Sequence, residues 1–169
     1  MLRAAPTSVG TLEFLVRRPA ENEREILDQG QLDVDDGLIG DNWLSRATSH
    51  AIAEGRHLQA QLNVMSARMI TFLAESRQDR ALAGDQLFVD LDISAANLPV
   101  GSRLAIGPDA VIEVTDKPHN GCAKFRARFG EEALAFVNSP IGKELRLRGF
   151  NARVVASGVV RLGDKVIKL

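Results

Sequence analysis

Short β-forming runs separated by glycine, proline and polar turns recur along almost the whole of this 169-residue chain, and they constrain its fold more than any other feature. Ser8–Val16, Ile26–Val34, Leu62–Met65, Arg103–Ile106 and Ala110–Thr115 are rich in β-branched and other apolar residues, as strands require. Leu87–Ile93 alternates apolar and acidic residues, which predicts a half-buried strand with Asp90 and Asp92 on a solvent-facing edge. Ala152–Ala156 and Val159–Leu162 predict a hairpin through Ser157-Gly158, followed by a short strand at Val166-Ile167. Helical patterning is confined to 66–76 and to two short runs within 131–146, Glu131–Val137 and Gly142–Arg146. In the first, Ser66 is a candidate N-cap and Met69, Phe72 and Leu73 make a core-facing set. Residues 41–60 predict an irregular excursion with a short helix. The expectation is a mainly β (α+β) chain forming one domain over residues 1–169: a mostly antiparallel β-barrel or sandwich carrying a few short helices.

A chain of this length buries about two-thirds of its unfolded surface, enough for a full core. A single cysteine cannot close an internal disulfide, which fits a reducing cytoplasmic setting. Met1–Pro6 is too short and broken to read as a signal peptide, and no apolar run reaches the ~20 residues of a membrane span. The formal net charge of −1 hides an asymmetry. Residues 1–116 carry 10 Lys/Arg against 18 Asp/Glu, a net of −8, whereas residues 117–169 carry 11 against 4, a net of +7. Either the two parts pair within the fold, or the basic part faces a small anionic ligand. Nucleic acid is disfavoured as that anion, because one Trp and no Tyr leave few stacking platforms.

The lone cysteine, Cys122, lies in Lys117-Pro118-His119-Asn120-Gly121-Cys122-Ala123-Lys124-Phe125-Arg126-Ala127-Arg128, which holds four Lys or Arg, one His and no carboxylate. Neighbouring cations lower a thiol's pKa, and the thiolate is the nucleophile and metal ligand. A helix starting at this point would favour the thiolate further through its first amides. The competing reading is a buried structural cysteine in a non-catalytic β-domain that binds an anion or a partner. His119 and Cys122, three apart, can form a thiolate–imidazole pair, for which Asp116 is a weak orienting group. A Cys-dependent hydrolase or transferase is disfavoured for that reason. Zinc is disfavoured too, since only His50 and His57 remain to complete a ligand set. Lys117, Asn120 and Arg126 near the loop, with Arg146, Arg148 and Arg153 downstream, are candidate anion binders. Arg68 is a further candidate, because a cation in a helix's first turn is not there to help the dipole. Gly84-Asp85 and Gly163-Asp164 read as structural turn dipeptides.

Thr115-Asp116-Lys117-Pro118-His119-Asn120-Gly121-Cys122-Ala123-Lys124-Phe125 resembles the central motif of the MOSC domain, the C-terminal domain of molybdenum cofactor sulfurases. Gly84–Val89, Leu98–Leu104, Arg148–Val155 and Gly163–Val166 resemble the flanking segments in the expected order. The resemblance covers roughly residues 9–168. It departs at Gly121, where many members carry Pro. It implies a β-barrel-like fold and a role for Cys122 as persulfide carrier or as ligand to the molybdenum of a pterin cofactor (molybdopterin). It further implies a pyridoxal-phosphate-dependent cysteine desulfurase or an electron-donor protein as partner. The activity implied is sulfur transfer or the reduction of N-hydroxylated compounds.

Overall fold

The computed structural model describes residues 4–169; Met1, Leu2 and Arg3 lie outside the described residues. Seven strands close a barrel. They are β1 (Val9–Arg17), β5 (Leu62–Ser66), β6 (Leu87–Asp90), β7 (Arg103–Ile106), β8 (Ala110–Val114), β9 (Phe150–Ala156) and β11 (Lys165–Lys168). Around the barrel the order is β1-β11-β7-β8-β9-β5-β6 and back to β1. Every neighbouring pair is antiparallel except β5 and β6. A parallel pair needs a crossover, supplied here by α2 (Ala67–Leu73) and α3 (Arg77–Ala81). β2 (Glu25–Leu27) extends β1, while β3 (Gln29–Asp33), β4 (Gly37–Leu38) and β10 (Gly158–Arg161) form a separate three-stranded sheet.

Successive side chains of a strand point to opposite faces, and several of these strands are apolar on both. Leu12, Leu15, Leu62, Val64, Leu87 and Val89 fill the barrel interior. Phe14, Val16, Met65 and Phe88, from the same strands, join a second core under the helices with Met69, Ile70, Phe125, Val137 and Leu147. This explains why the β1, β5 and β6 segments read as nearly continuous apolar runs. α4 (Ala123–Phe129), α5 (Glu131–Asn138) and α6 (Pro140–Glu144) cap this outer core, and α1 (Ser49–Ala53) sits in the 41–60 excursion. Ser139 caps α6, its Oγ accepting from the Gly142 amide, and so separates the two short helices expected over 131–146.

Four local expectations are corrected. β10 pairs with β3 rather than folding back on β9, so Ser157-Gly158 is not a two-strand hairpin turn. Ile26–Val34 divides between β2 and β3, which belong to different sheets. Asp90 is not on an edge: β6 lies between β1 and β5, and Asp90 pairs with Arg68. Phe72 is 64% exposed, because the buried face of α2 is centred on Met69 and Ile70 and the 100° step per residue swings Phe72 away. Ser66 does cap α2, its Oγ accepting from the Met69 amide at 3.3 Å.

Among the described residues no helix is long and apolar enough to cross a membrane.

Candidate functional site

The loop between β8 and α4 is held by two asparagines. Buried Asn151 on β9 donates through Nδ2 to the carbonyls of Lys117 and Pro118 at 3.0 and 3.1 Å. Its Oδ1 accepts from Asn63 on β5 at 2.6 Å, and Asn63 in turn accepts from Arg18 at 3.0 Å. Arg18 is closed by Asp41 in a buried ion pair at 2.8 Å. At the loop's far end Asn138 on α5 accepts from the Gly121 amide at 3.0 Å and donates to the Gly121 carbonyl. A proline at 121 would have no amide to give, so glycine here belongs with Asn138. Buried polar chains of this kind specify one arrangement when every member is satisfied.

His119 is fixed differently from the expected pairing. Its Nε2 lies 2.7 Å from Asp85 Oδ1, and Arg148 Nη1 donates to Asp85 Oδ2 at 2.6 Å. Asp85 is fully buried and Arg148 is 7% exposed. Asp116 is therefore not the orienting group: that role falls to Asp85, which sequence reading assigns to a turn. Burial alone would raise the Asp85 carboxyl, but Arg148 and His119 outweigh it and hold it below the ordinary carboxylate range. A carboxylate only accepts, so Nε2 carries the proton. Burial, and then the charge of Arg148, hold the His119 imidazole below its ordinary pKa, so the ring is neutral at neutral pH. Among the described residues no hydrogen bond joins His119 to Cys122.

These shifts fix a pH dependence. The unfolded imidazole gains its proton near pH 6.5, and the folded one gains it only at lower pH. Between those values the unfolded state binds more protons, so stability falls as pH drops below about 6.5. Asp85 adds a second loss below its unfolded value of about 3.9. The urea midpoint should therefore fall between pH 7.5 and pH 5.5, and fall less in His119→Gln. Equal midpoints for the parent protein at the two pH values would contradict this.

Cys122 is the N-cap of α4 and is exposed. Its thiol is lowered: burial works against this, but the amides of Phe125 and Lys124, followed by the charges of Arg148 and Arg128, prevail. Those amides point toward the sulfur without closing a hydrogen bond of ordinary geometry. Three further cations gather nearby. Arg24 Nη2 and Arg128 Nη1 would lie 3.4 and 3.5 Å from a Cβ on Gly84, which has none and adopts φ +84°. Arg46 feels both the Cys122 thiolate and Arg18. Burial and then the charge of Arg128 push Arg24 down to about 10. Arg24 Nε is sealed without a partner. Among the described residues none of Arg24, Arg46 and Arg128 is ion-paired, since Asp41 is taken by Arg18.

A cleft of about 160 Å³ opens along the same loop, lined by Thr115 to Asn120 together with Val137, Lys143, Arg146, Gly149 and Phe150. Lys117, His119, Asn120 and Arg146 thus meet at the cleft, whose lining stops short of Cys122. Arg148 lies behind His119, over the Phe125 ring at 5.0 Å. Arg126 faces Glu131 at 3.6 Å on the surface, Arg153 pairs with Glu113 at 2.6 Å, and Arg68 pairs with Asp90. Three C-terminal cations pair with carboxylates of the acidic part: Arg148 with Asp85, Arg153 with Glu113 and Lys124 with Glu21. Pairing within the fold therefore accounts for part of the charge asymmetry. Among the described residues no cluster of three or more His, Cys, Asp or Glu side chains is arranged to hold a metal.

The model of the MOSC domain family matches residues 56–167, a span that includes the loop, Cys122 and the barrel strands from β5 onward. The chain belongs to the MOSC domain family, which is associated with the molybdenum cofactor. No curated protein matches it. Among solved structures it is similar to the YUAD protein of Bacillus subtilis, at TM-score 0.60 and 17% identity over 94% of each chain. It is also similar to YiiM of Escherichia coli, at TM-score 0.57 and 18% identity, over 94% of this chain and 69% of that one. A hypothetical protein gives TM-score 0.62 at 18% identity, over 95% of this chain and 68% of that one. At such identities the likeness is one of fold.

Proposed function

We propose that the chain works through the Cys122 thiolate, as ligand to the molybdenum of a pterin cofactor. The observation that carries this is an exposed thiol with a lowered pKa, clustered with Arg24, Arg46 and Arg128, three cations without carboxylate partners among the described residues. The residues fit such a group: thiolate is a soft ligand suited to a thiophilic metal, and guanidinium forks suit phosphate oxygens. When bound, the cofactor would supply two-electron redox chemistry. The chain's own part is to ease ionisation of Sγ, to hold the loop through Asn138 and Asn151, and to place cations around an anionic ligand. An electron-donor protein would complete the cycle of a reductase.

Exposure of the thiol supports a second reading, persulfide carriage. Cys122 Sγ would attack the outer sulfur of a donor persulfide, the donor's S–S bond would break, and the electron pair would leave on the donor thiolate. A pyridoxal-phosphate-dependent desulfurase is the corresponding partner.

Elemental analysis and intact mass of the native protein separate the two. Molybdenum approaching one per chain supports the first, and a mass gain of one sulfur atom the second. Cys122→Ser should lose either one while melting within about 0.5 kcal/mol of the parent, as an exposed substitution does. Unchanged molybdenum or sulfur content in Cys122→Ser overturns the proposal.

A further inference from the structure

The cleft beside the loop is a separate place from the thiolate, and its chemistry is unusual for a basic recess. Lys117, Lys143 and Arg146 set three positive charges on its lining against one carboxylate, Asp116. Among the described residues neither lysine is ion-paired. Arg146 is fixed more firmly: its Nη1 donates to the Leu98 carbonyl, and its guanidinium lies 5.7 Å from the centre of the Phe150 ring. It also adopts φ +48°, a left-handed backbone that a side-chain-bearing residue holds only where its surroundings impose it, and such residues cluster at ligand sites.

His119 belongs to this cationic lining and has a nitrogen lone pair to spare. His119 spends its Nε2 proton on buried Asp85, and Arg148 fixes the other Asp85 oxygen. Its Nδ1 has no partner among the described residues, yet is not among the sealed, unpartnered atoms. The ring's Cδ2 edge packs toward Gly149, 3.3 Å from where a Cβ would lie, and since His119 lines the cleft the unsealed Nδ1 is the ring nitrogen left for a ligand there. A neutral imidazole in this tautomer can only accept at Nδ1. A fully deprotonated oxyanion would meet that lone pair with its own, whereas an oxyanion carrying a hydroxyl would donate to it and still satisfy the cations.

We propose that the cleft formed by Lys117, His119, Lys143 and Arg146 is a binding site for a small protonated oxyanion of the hydrogen-phosphate type, and that it selects against anions without a proton. The volume agrees, since at about 30 Å³ per water it holds about five waters, room for a phosphate group and its inner hydration. Asp116, the other acceptor on the lining, strengthens the preference, because it too repels an anion without a proton. The site is distinct from the one centred on Cys122 and does not depend on what Cys122 carries.

The test uses the whole chain with inorganic phosphate as probe and sulfate, which has no proton at neutral pH, as control. Isothermal titration at pH 6.5 should show phosphate binding at least ten-fold tighter than sulfate. Lys143→Ala should weaken both anions and leave their ratio unchanged, whereas His119→Phe should collapse the ratio toward one. Should His119→Phe fail to fold, nitrogen-15 imidazole shifts of the parent protein decide. The Nε2–H form is expected, with the Nδ1 resonance moving on addition of phosphate and not of sulfate. Phosphate affinity should survive in Cys122→Ser and in Arg128→Ala. No binding, equal binding of the two anions, a proton on Nδ1, or phosphate binding lost with Arg128 would each overturn the proposal. The last result would place the anion at the thiolate's arginines instead.

Discussion

Asp85→Ala should lower stability by about 3–5 kcal/mol, the range seen when one partner of a buried ion pair is removed. At the ~2–4 °C per kcal/mol of a domain this size, the melting temperature should drop by about 6–20 °C. Asp85 is wholly buried and gives one oxygen to Arg148 and the other to His119. Removing it leaves a guanidinium that is 7% exposed, with an Nε already lacking a partner and only the Ala83 carbonyl still accepting from Nη2. It also frees the tautomer of His119. Asp85→Asn keeps the shape and one acceptor while removing the charge, so it should fall between the parent and Asp85→Ala. A melt of Asp85→Ala within 2 °C of the parent, a shift worth about 1 kcal/mol or less, would show that the triad is not holding this end of the barrel.

Gly149→Ala should be nearly as damaging, though only a methyl is added. Gly149 has φ +100°, and a Cβ there would lie 2.2 Å from the Val64 carbonyl oxygen. That atom is backbone of β5 and cannot swing aside as a side chain would. Left-handed strain of about 1–3 kcal/mol and overpacking of a similar ~1–3 kcal/mol act together. Relief requires β5 and β9 to separate where Val64 pairs with Phe150, which would also shift His119. Circular dichroism melts measure the loss, and the phosphate-to-sulfate ratio measures displacement of the imidazole. A variant with parental melting and parental selectivity would contradict both parts.

The barrel was legible in the sequence because its signal is local: apolar runs of strand length, each bounded by turn residues. The loop was legible for the same reason, since four cations, a histidine and the cysteine sit within twelve residues. What holds these groups was not. Asp85 reaches His119 across 34 positions and Arg148 across 63, and nothing near Gly84-Asp85 distinguishes a buried anchor from a turn. The cations beside the thiolate carry the same lesson. Arg24 and Arg46 come from the part of the chain with a net of −8, so a charge argument made by halves looks away from them. Arg148 looks like a ligand-facing cation beside its basic sequence neighbours, yet its charge is met by a carboxylate from the opposite half. Side-chain pairing inside a closed barrel follows strand order around the wall, and strand order departs from sequence order at β11 and at β5.

Closure of the wall has a consequence for how the molecule is made. Val9 on β1 pairs with Ile167 on β11, so the first barrel strand synthesised has no partner on that side until nearly the whole wall has been translated. Contacts between such distant positions slow folding, and an open strand edge invites pairing with another chain in the meantime. During synthesis the vulnerable edge is therefore that of β1, which stays open until β11 docks.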